Sequence, residues 1–266
     1  MPVRLSGSLI ALMGGLLIAE MPASAVQASS NNPSPIHGRS PSTKISNGSS
    51  TSTNWSGYAV TGETFTDVVG SWVQPTATCP SNQQPDAAFW VGIDGFSSSD
   101  DAVEQIGTDS DCNKGKGKAK ESPHYYAWWE IDTATSTSST TIPEAVSPGD
   151  HMTAEVSNAG GTYTLTLTDS GKWTYSPSPQ TPSPNPPASS AEWIAEAPSV
   201  CKKKCTPLKL ADFGSVTFSG ATANGSSISS FKSSQTNKIT MKKGKTVKAT
   251  PTSLSGSGFT INWNNN

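Results

Sequence analysis

The residues with the clearest capacity for chemistry are an amide and a set of carboxylates on short alternating segments. Gln105 lies in Ala102-Val103-Glu104-Gln105-Ile106-Gly107, and two glutamates lie in Ala191-Glu192-Trp193-Ile194-Ala195-Glu196. Period-two alternation puts Val103 and Gln105 on one face of their strand, and Glu192, Ile194 and Glu196 on one face of theirs. A glutamate can take a proton from water and return it to a leaving group. A neutral amide can hold that water through its oxygen and donate an N–H to an oxyanion. The pair needs no histidine, thiolate or metal. Alternation leaves open which glutamate, Glu192 or Glu196, is the partner.

Two further segments add polar residues to tryptophan-bearing faces. Trp90, Gly92 and Asp94 alternate with the apolar set Phe89, Val91 and Ile93, and Tyr126, Trp128 and Glu130 share a face of Tyr125-Tyr126-Ala127-Trp128-Trp129-Glu130. Buried polar groups without partners are costly, so such a face is not an ordinary core face. It is also too aromatic for plain solvent exposure, and a ligand groove on one sheet satisfies both constraints.

Other catalytic machinery is absent from the sequence. Only His37, His124 and His151 are present, there is no HExxH or G-x-S-x-G, and His37 falls in a Ser/Pro-rich stretch expected to be disordered. Asp169-Ser170-Gly171 occurs once and reads as a hairpin turn. The net charge of −2 disfavours a nucleic-acid or membrane-surface role, and Lys114/Lys116/Lys118/Lys120 and Lys202-Lys203-Lys204 read as solvated loops. No histidine stands at ligand spacing from a cysteine pair, so neither a metal nor another cofactor is expected.

The elements that must position these residues are short, β-branched or aromatic and alternating, among them Thr66 to Val73, Ala87 to Ile93, Tyr125 to Ile131, His151 to Ser157 and Thr162 to Asp169. Turn residues separate them, and no helical apolar stripe runs for three turns. The expectation is an all-β antiparallel sandwich or barrel. Met1 to Ala25 has Arg4, the apolar run Leu9 to Ala19 and Ala23-Ser24-Ala25, the layout of a cleaved secretory signal. Val26 to Ser52 reads as a disordered tail or pro-segment, and 53–266 as one domain. Ser176 to Ser190 reads as an exposed Pro-rich loop inside that domain. An oxidising compartment suits the four cysteines. Cys201 and Cys205 can close a tight loop, leaving Cys79 and Cys112, although four cysteines permit three pairings.

Asn54-Trp55-Ser56-Gly57, Phe89-Trp90-Val91-Gly92-Ile93-Asp94-Gly95, Glu104-Gln105-Ile106-Gly107, Tyr126-Ala127-Trp128-Trp129-Glu130, Ala191-Glu192-Trp193-Ile194-Ala195-Glu196 and Leu210-Ala211-Asp212-Phe213-Gly214 occur in that order. As an ordered set they resemble the glutamic peptidases, the eqolisins or G1 family, from about Asn54 to about Ala221. The resemblance implies a sandwich of two large antiparallel sheets with a concanavalin-like shape. It also implies a secreted, extracellular acid endopeptidase, acting on proteins and peptides and indifferent to pepstatin-type inhibitors. The family's catalytic pair falls on Gln105 and Glu196. Its groove positions fall on Trp55, Trp90, Asp94, Asp109 and Glu130. Tyr126 stands where some fungal members carry an acid, and the lead segment is shorter and less basic than theirs. A monomer is expected.

Two rivals use the same features. A concanavalin-like glycoside hydrolase would employ Glu130 and Glu196 as its carboxylate pair but has no need of Gln105. A carbohydrate-binding module would use the tryptophan face alone.

Overall fold

The structure, a computed structural model, describes residues 37, 48–80, 83–97, 100, 102–113, 122–133, 139–201 and 205–265. All of these belong to the unit Pro33–Asn266. The expected signal sequence and both lysine clusters lie outside the described residues.

In chain order the strands are β1 (Ser49–Ser52), β2 (Trp55–Thr61), β3 (Asp67–Val73), β4 (Ala88–Ile93), β5 (Ala102–Asn113), β6 (Ser122–Thr133) and β7 (Thr140–Ala145). There follow β8 (His151–Ala159), β9 (Thr162–Asp169), β10 (Trp173–Tyr175), β11 (Ser190–Glu196), β12 (Ser199–Cys201) and β13 (Cys205–Pro207). The last are β14 (Ser215–Ala223), β15 (Ser226–Ser227), β16 (Thr236–Lys243), β17 (Thr246–Pro251) and β18 (Phe259–Trp263). One 3-10 turn, Ile228–Ser230, is the sole helical element among the described residues.

The strands pair along one path, β10-β9-β8-β3-β14-β18-β17-β16-β2-β11-β4-β5-β6-β7. β14 turns that path. Its first half pairs with β18 and its second with β3, across a register shift between Ser219 and Thr222. A bulge of this kind bends a strand and increases its twist. The path thereby folds back on itself, and β4 and β5 pack on β8, with β5 also on β9 and β11 on β3 and β14. The fold is the expected antiparallel β-sandwich.

Alternation explains the layer behind the site. β9 reads TYTLTLTD, and Tyr163, Leu165 and Leu167 are buried while its threonines are half-exposed. β8 buries Met152, Ala154 and Val156 in the same way. The Leu, Val and Met side chains among these each contribute about 1.5–3 kcal/mol by leaving water. The Trp193 indole crosses from β11 to β3 and donates to the Val69 carbonyl at 2.7 Å. It lies so close to Gly70 that a Cβ there would meet Trp193 Cδ1 at 2.6 Å, which requires glycine at this point.

The central strands differ. Every residue of β4 and β11 is buried, so both faces are covered. One face joins the inter-sheet core. The other carries Trp55, Trp90, Trp128, Ile194 and Ile239 as a separate apolar cluster.

Several elements depart from the sequence reading. Ser49–Ser52, read as the end of a structureless lead, pairs in parallel with β16, with Ser50 and Ser52 buried. Backbone pairing beside an existing strand needs no apolar side chains, which is why composition missed it. β7 contains Pro143 and sits at the end of the strand path, the position where a strand tolerates proline. Asp169-Ser170-Gly171 is the β9–β10 hairpin turn, as expected. The Pro-rich loop is largely exposed but tied down, with Gln180 exchanging backbone hydrogen bonds with Tyr163 at 2.7 and 2.8 Å. Cys79 and Cys112 form a disulfide. Cys201 faces Cys205 in the β12–β13 register, and Cys205 is disulfide-bonded.

Candidate active site

β5 and β6 run side by side over twelve residue pairs, which places Gln105 opposite Glu130, Gly107 opposite Trp128 and Asp109 opposite Tyr126. β4 lies on the other side of β5, with Gly92 opposite Gln105 and Trp90 opposite Gly107. Gly107 makes room for Trp90, because a Cβ there would lie 2.6 Å from Trp90 Cβ and 2.2 Å from the Phe89 carbonyl oxygen. β11 follows β4, so that Ala88 faces both Asp109 and Glu196. Trp55, at the start of β2, faces Glu196 directly. Trp55 meets Trp90 edge to face, with ring centroids 4.9 Å apart. Gln105, Asp109, Glu130, Glu196, Trp55 and Trp90 are all fully buried.

Two donors hold Glu196. Trp90 Nε1 donates to Oε2 at 2.9 Å, and Asn54 Nδ2 donates to Oε1 at 3.3 Å. Asn54 is itself fixed by the end of β1. The Ser52 hydroxyl donates to Asn54 Oδ1 at 2.9 Å and accepts the N–H groups of Asn54 and Trp55. Burial is the main reason the Glu196 carboxyl is pushed up to about 8. The His37 charge and the Trp90 hydrogen bond pull it down, whereas Glu130 and Asp109 push it further up.

The lead segment supplies a residue to this site. His37 is fully buried against β5 and β6, although the sequence reading left it out of the chemistry. Its ring stacks on Trp128, with centroids 3.5 Å apart and planes within 6°. Nε2 lies 2.8 Å from Asp109 Oδ2, which also accepts the Tyr126 hydroxyl at 2.6 Å. The His37 backbone N–H donates to Glu130 Oε2 at 3.1 Å, and Nδ1 is 3.7 Å from the same oxygen. The His37 carbonyl accepts a hydrogen bond from Gln105 Nε2. Burial alone would lower the imidazole's pKa, but the charges and hydrogen bonds of Asp109 and Glu130 override it. The ring is held well above its usual value by the two carboxyls that flank it. Gln105 Oε1 is buried with no hydrogen-bond partner.

His37 also separates the two glutamates that alternation could not. By register Glu192, not Glu196, stands in the row of Gln105 and Gly92. Yet the electrostatic neighbours of Glu192 are Asp94, Asp100 and Glu104, whereas those of Glu196 are His37, Glu130 and Asp109. Glu196 thus shares His37 with Gln105.

Asp94 lies apart from this group. Alternation breaks there, because Asp94 adopts a left-handed φ of 69° at the end of β4. Its carboxylate accepts the N–H groups of Ala188 at 2.8 Å and Ser189 at 2.6 Å, closing the end of the Pro-rich loop. Burial pushes this carboxyl up to about 6 against those two hydrogen bonds.

A trio of carboxyls adjoins the site. Oxygens of Asp86, Asp109 and Asp111 lie within 4.8 Å of one another. Such a group either shares protons or holds a cation. Burial first, and mutual repulsion second, raises Asp86 and Asp111 well above the usual range, which favours shared protons.

Sequence reasoning missed His37, Asn54 and Asp86. The one available signal for His37 was that Ile36-His37 is a bulky pair in a run of Ser, Pro, Asn and Gly.

A β-sandwich with a buried amide and carboxyl among tryptophans on one sheet face is the architecture of a glutamic endopeptidase. The chain belongs to the Peptidase A4 family, the eqolisins, whose match spans residues 53–263. Among solved structures, scytalido-glutamic peptidase with a transition state analog inhibitor is similar at a TM-score of 0.64 and 23% identity, covering 79% of this chain and 98% of that one. The same peptidase with a peptide-based transition state analog gives 0.62 and 23% identity at the same coverage. SCP-B, a member of the eqolisin family in complex with the tripeptide Ala-Ile-His, gives 0.61 and 22% identity, again covering 79% of this chain and 98% of that one. No curated protein matches the chain.

Proposed function

We propose that the protein is a secreted acid endopeptidase in which Gln105 and Glu196 form the catalytic dyad. One observation carries this reading. The Gln105 amide donates to a peptide carbonyl, that of His37, in the groove that also holds Glu196. That is the contact a scissile carbonyl needs as its oxygen becomes negative, and removing such a donor costs about 10²–10³ in rate. The free Gln105 Oε1 is an acceptor for the attacking water.

Glu196 supplies the proton transfers. It takes a proton as water attacks and passes it to the departing amine. With His37 in place the carboxyl sits at about 8 and is protonated in acid, so it cannot accept a proton. The filled groove is therefore a resting state. Water entering beside Glu196 removes part of the burial that raises it and restores an ionised fraction. Trp90 and Asn54 keep the carboxyl oriented meanwhile.

The backbone N–H and carbonyl of His37, held by Glu130 and Gln105, favour a peptidase over the glycosidase reading with Glu130 and Glu196. The SCP-B structure holds a peptide ending in Ile-His, and this chain places His37, which follows Ile36 in the sequence, against Gln105. The signal-like Met1 to Ala25 and the Cys79–Cys112 disulfide support secretion into an oxidising compartment.

The test is hydrolysis of denatured casein by the purified protein across acid pH, with and without pepstatin, alongside hydrolysis of β-glucan. Pepstatin-indifferent casein cleavage with no glucan cleavage is expected. Clean pepstatin inhibition, or glucan cleavage alone, overturns the reading.

A further inference from the structure

The contact between Asn54 and Glu196 has a polarity, and that polarity is set outside the sheet that carries Glu196 and Gln105. An asparagine amide can turn either its NH2 or its oxygen toward a neighbour. Ser52 makes the choice. Its Oγ accepts the N–H groups of Asn54 and Trp55 at 3.2 and 3.0 Å. Both acceptor lone pairs of the hydroxyl are then used, so it meets the Asn54 side chain as a donor, and the atom facing it at 2.9 Å is Oδ1. Nδ2 is thereby aimed at Glu196 Oε1, 3.3 Å away. Ser52 is placed by the parallel pairing of β1 with β16, where it stands opposite Met241, and both Ser52 and Asn54 are buried. The Asn54 carbonyl also accepts the Ala197 N–H at 2.8 Å, which ties down the backbone directly after Glu196.

We propose that Ser52, acting through Asn54, is a positioning residue for Glu196: it locks the Asn54 amide so that the carboxyl meets an N–H and not a second oxygen. This rests on the Gln105/Glu196 reading. With Trp90 Nε1 on Oε2, each oxygen of Glu196 faces a donor. Two donors on two oxygens fix the plane of the group, and both favour its ionised form, the one that takes the proton from water. The charged groups that face Glu196 are His37, Glu130 on β6 and Asp109 on β5, so they belong to other elements. A reversed amide would set Oδ1 against Oε1, acceptor against acceptor, and the carboxyl would turn aside or stay protonated. A short polar strand thus bears on turnover through one hydroxyl.

The test compares Ser52→Ala, Asn54→Ala and the double variant with the wild type and Glu196→Gln. Each is first shown to be folded by its melting curve, then assayed across acid pH on a casein-derived peptide that the wild type cleaves. Asn54→Ala should lower kcat about ten- to hundred-fold, as expected for a misplaced catalytic group, with KM within about two-fold. Losing the donor raises the Glu196 carboxyl, so the acid limb of kcat/KM should move to higher pH. Ser52→Ala should move both quantities the same way by less. The double variant should be no worse than Asn54→Ala, because the serine acts through the asparagine. Residues with a merely structural role would lower Tm and leave kcat and the acid limb in place. Should Asn54→Ala not fold, Ser52→Ala is read alone by the same measures. An unchanged kcat and an unmoved acid limb in the folded variants, or fully additive losses in the double variant, overturn the inference while the peptidase reading stands. If the wild type digests no casein, or Glu196→Gln remains fully active, the dyad reading falls together with the inference.

Discussion

Two groups of buried carboxyls lie on neighbouring parts of the same strands, and they are provisioned in opposite ways. Around the groove, Glu196 has Trp90 and Asn54, Asp109 has Tyr126 and His37, and Glu130 has the His37 N–H. Toward the other end of β4, β5 and β11, Glu104 and Glu192 are fully buried, and their only hydrogen-bonding influences are a backbone group for Glu104 and the Ser190 hydroxyl for Glu192. A carboxylate kept charged needs donors, whereas one kept neutral needs only the absence of water. The first group is tied into a hydrogen-bonded network that can pass protons. The second is built to be protonated.

The sharpest way to break this contrast is to remove the proposed dyad. Glu196→Gln is isosteric, keeps one carbonyl acceptor for the Trp90 and Asn54 N–H groups where the carboxyl offers two oxygens, and deletes the proton carrier. Casein hydrolysis should fall by about 10²–10⁴-fold, and the lost acceptor should cost about 1–3 kcal/mol of stability in a chain that still folds. Gln105→Ala should lose about 10²–10³-fold, because it removes one oxyanion donor. Full activity in purified, folded Glu196→Gln would reassign the site.

The next effect belongs to the second group and concerns stability. Burial raises Glu104 and Glu192 well above the ordinary carboxylate value, with neighbouring acids adding to it, and the Ser190 hydroxyl offsets this for Glu192 only in part. A carboxyl whose folded-state pKa lies above its unfolded value contributes stability that is complete below the unfolded pKa. That stability drains away as pH rises through the folded value. Tm should therefore decline from pH 4 toward neutrality. Glu104→Gln and Glu192→Gln, which cannot ionise, should flatten that decline while leaving the pH 4 value much closer to wild type. A wild-type Tm that rises toward neutrality would refute the assignment of this group as neutral.

The sequence disclosed one of these groups and not the other. Gln105, Glu196 and Trp90 were legible because their strands alternate cleanly and their motifs stand in order. Glu104 was not, since alternation points it into the inter-sheet layer, where a lone glutamate reads as an error rather than as a neutral acid beside Tyr163. Asp94 was placed with the groove because period two was assumed to run through β4. Its left-handed φ breaks that period at the last step, and backbone dihedrals at a strand end are not written in side-chain polarity. His37 was hidden for a different reason. Its position depends on partners 72 and 93 residues away, while its own neighbourhood is Ser, Pro and Gly.

The smallest effect separates Asp94 from Glu130, which the sequence could not distinguish. Glu130 is one of the charges that raise Glu196, and Asp94 is not. Glu130→Gln removes a neighbouring negative charge, so Glu196 ionises at lower pH. If ionised Glu196 is the active form, the acid limb of kcat/KM must move to lower pH. Asp94→Asn should leave that limb where it is. Its carboxylate instead accepts the Ala188 and Ser189 N–H groups, and an asparagine has one carbonyl oxygen where the carboxylate has two. The expected cost is about 1–3 kcal/mol of stability and faster proteolytic nicking in the Pro-rich loop. Both profiles can be recorded on a single peptide substrate, with the melting curves as the second readout. An acid limb displaced by Asp94→Asn as far as by Glu130→Gln would join the two groups of carboxyls into one electrostatic unit, and the contrast between them would fail.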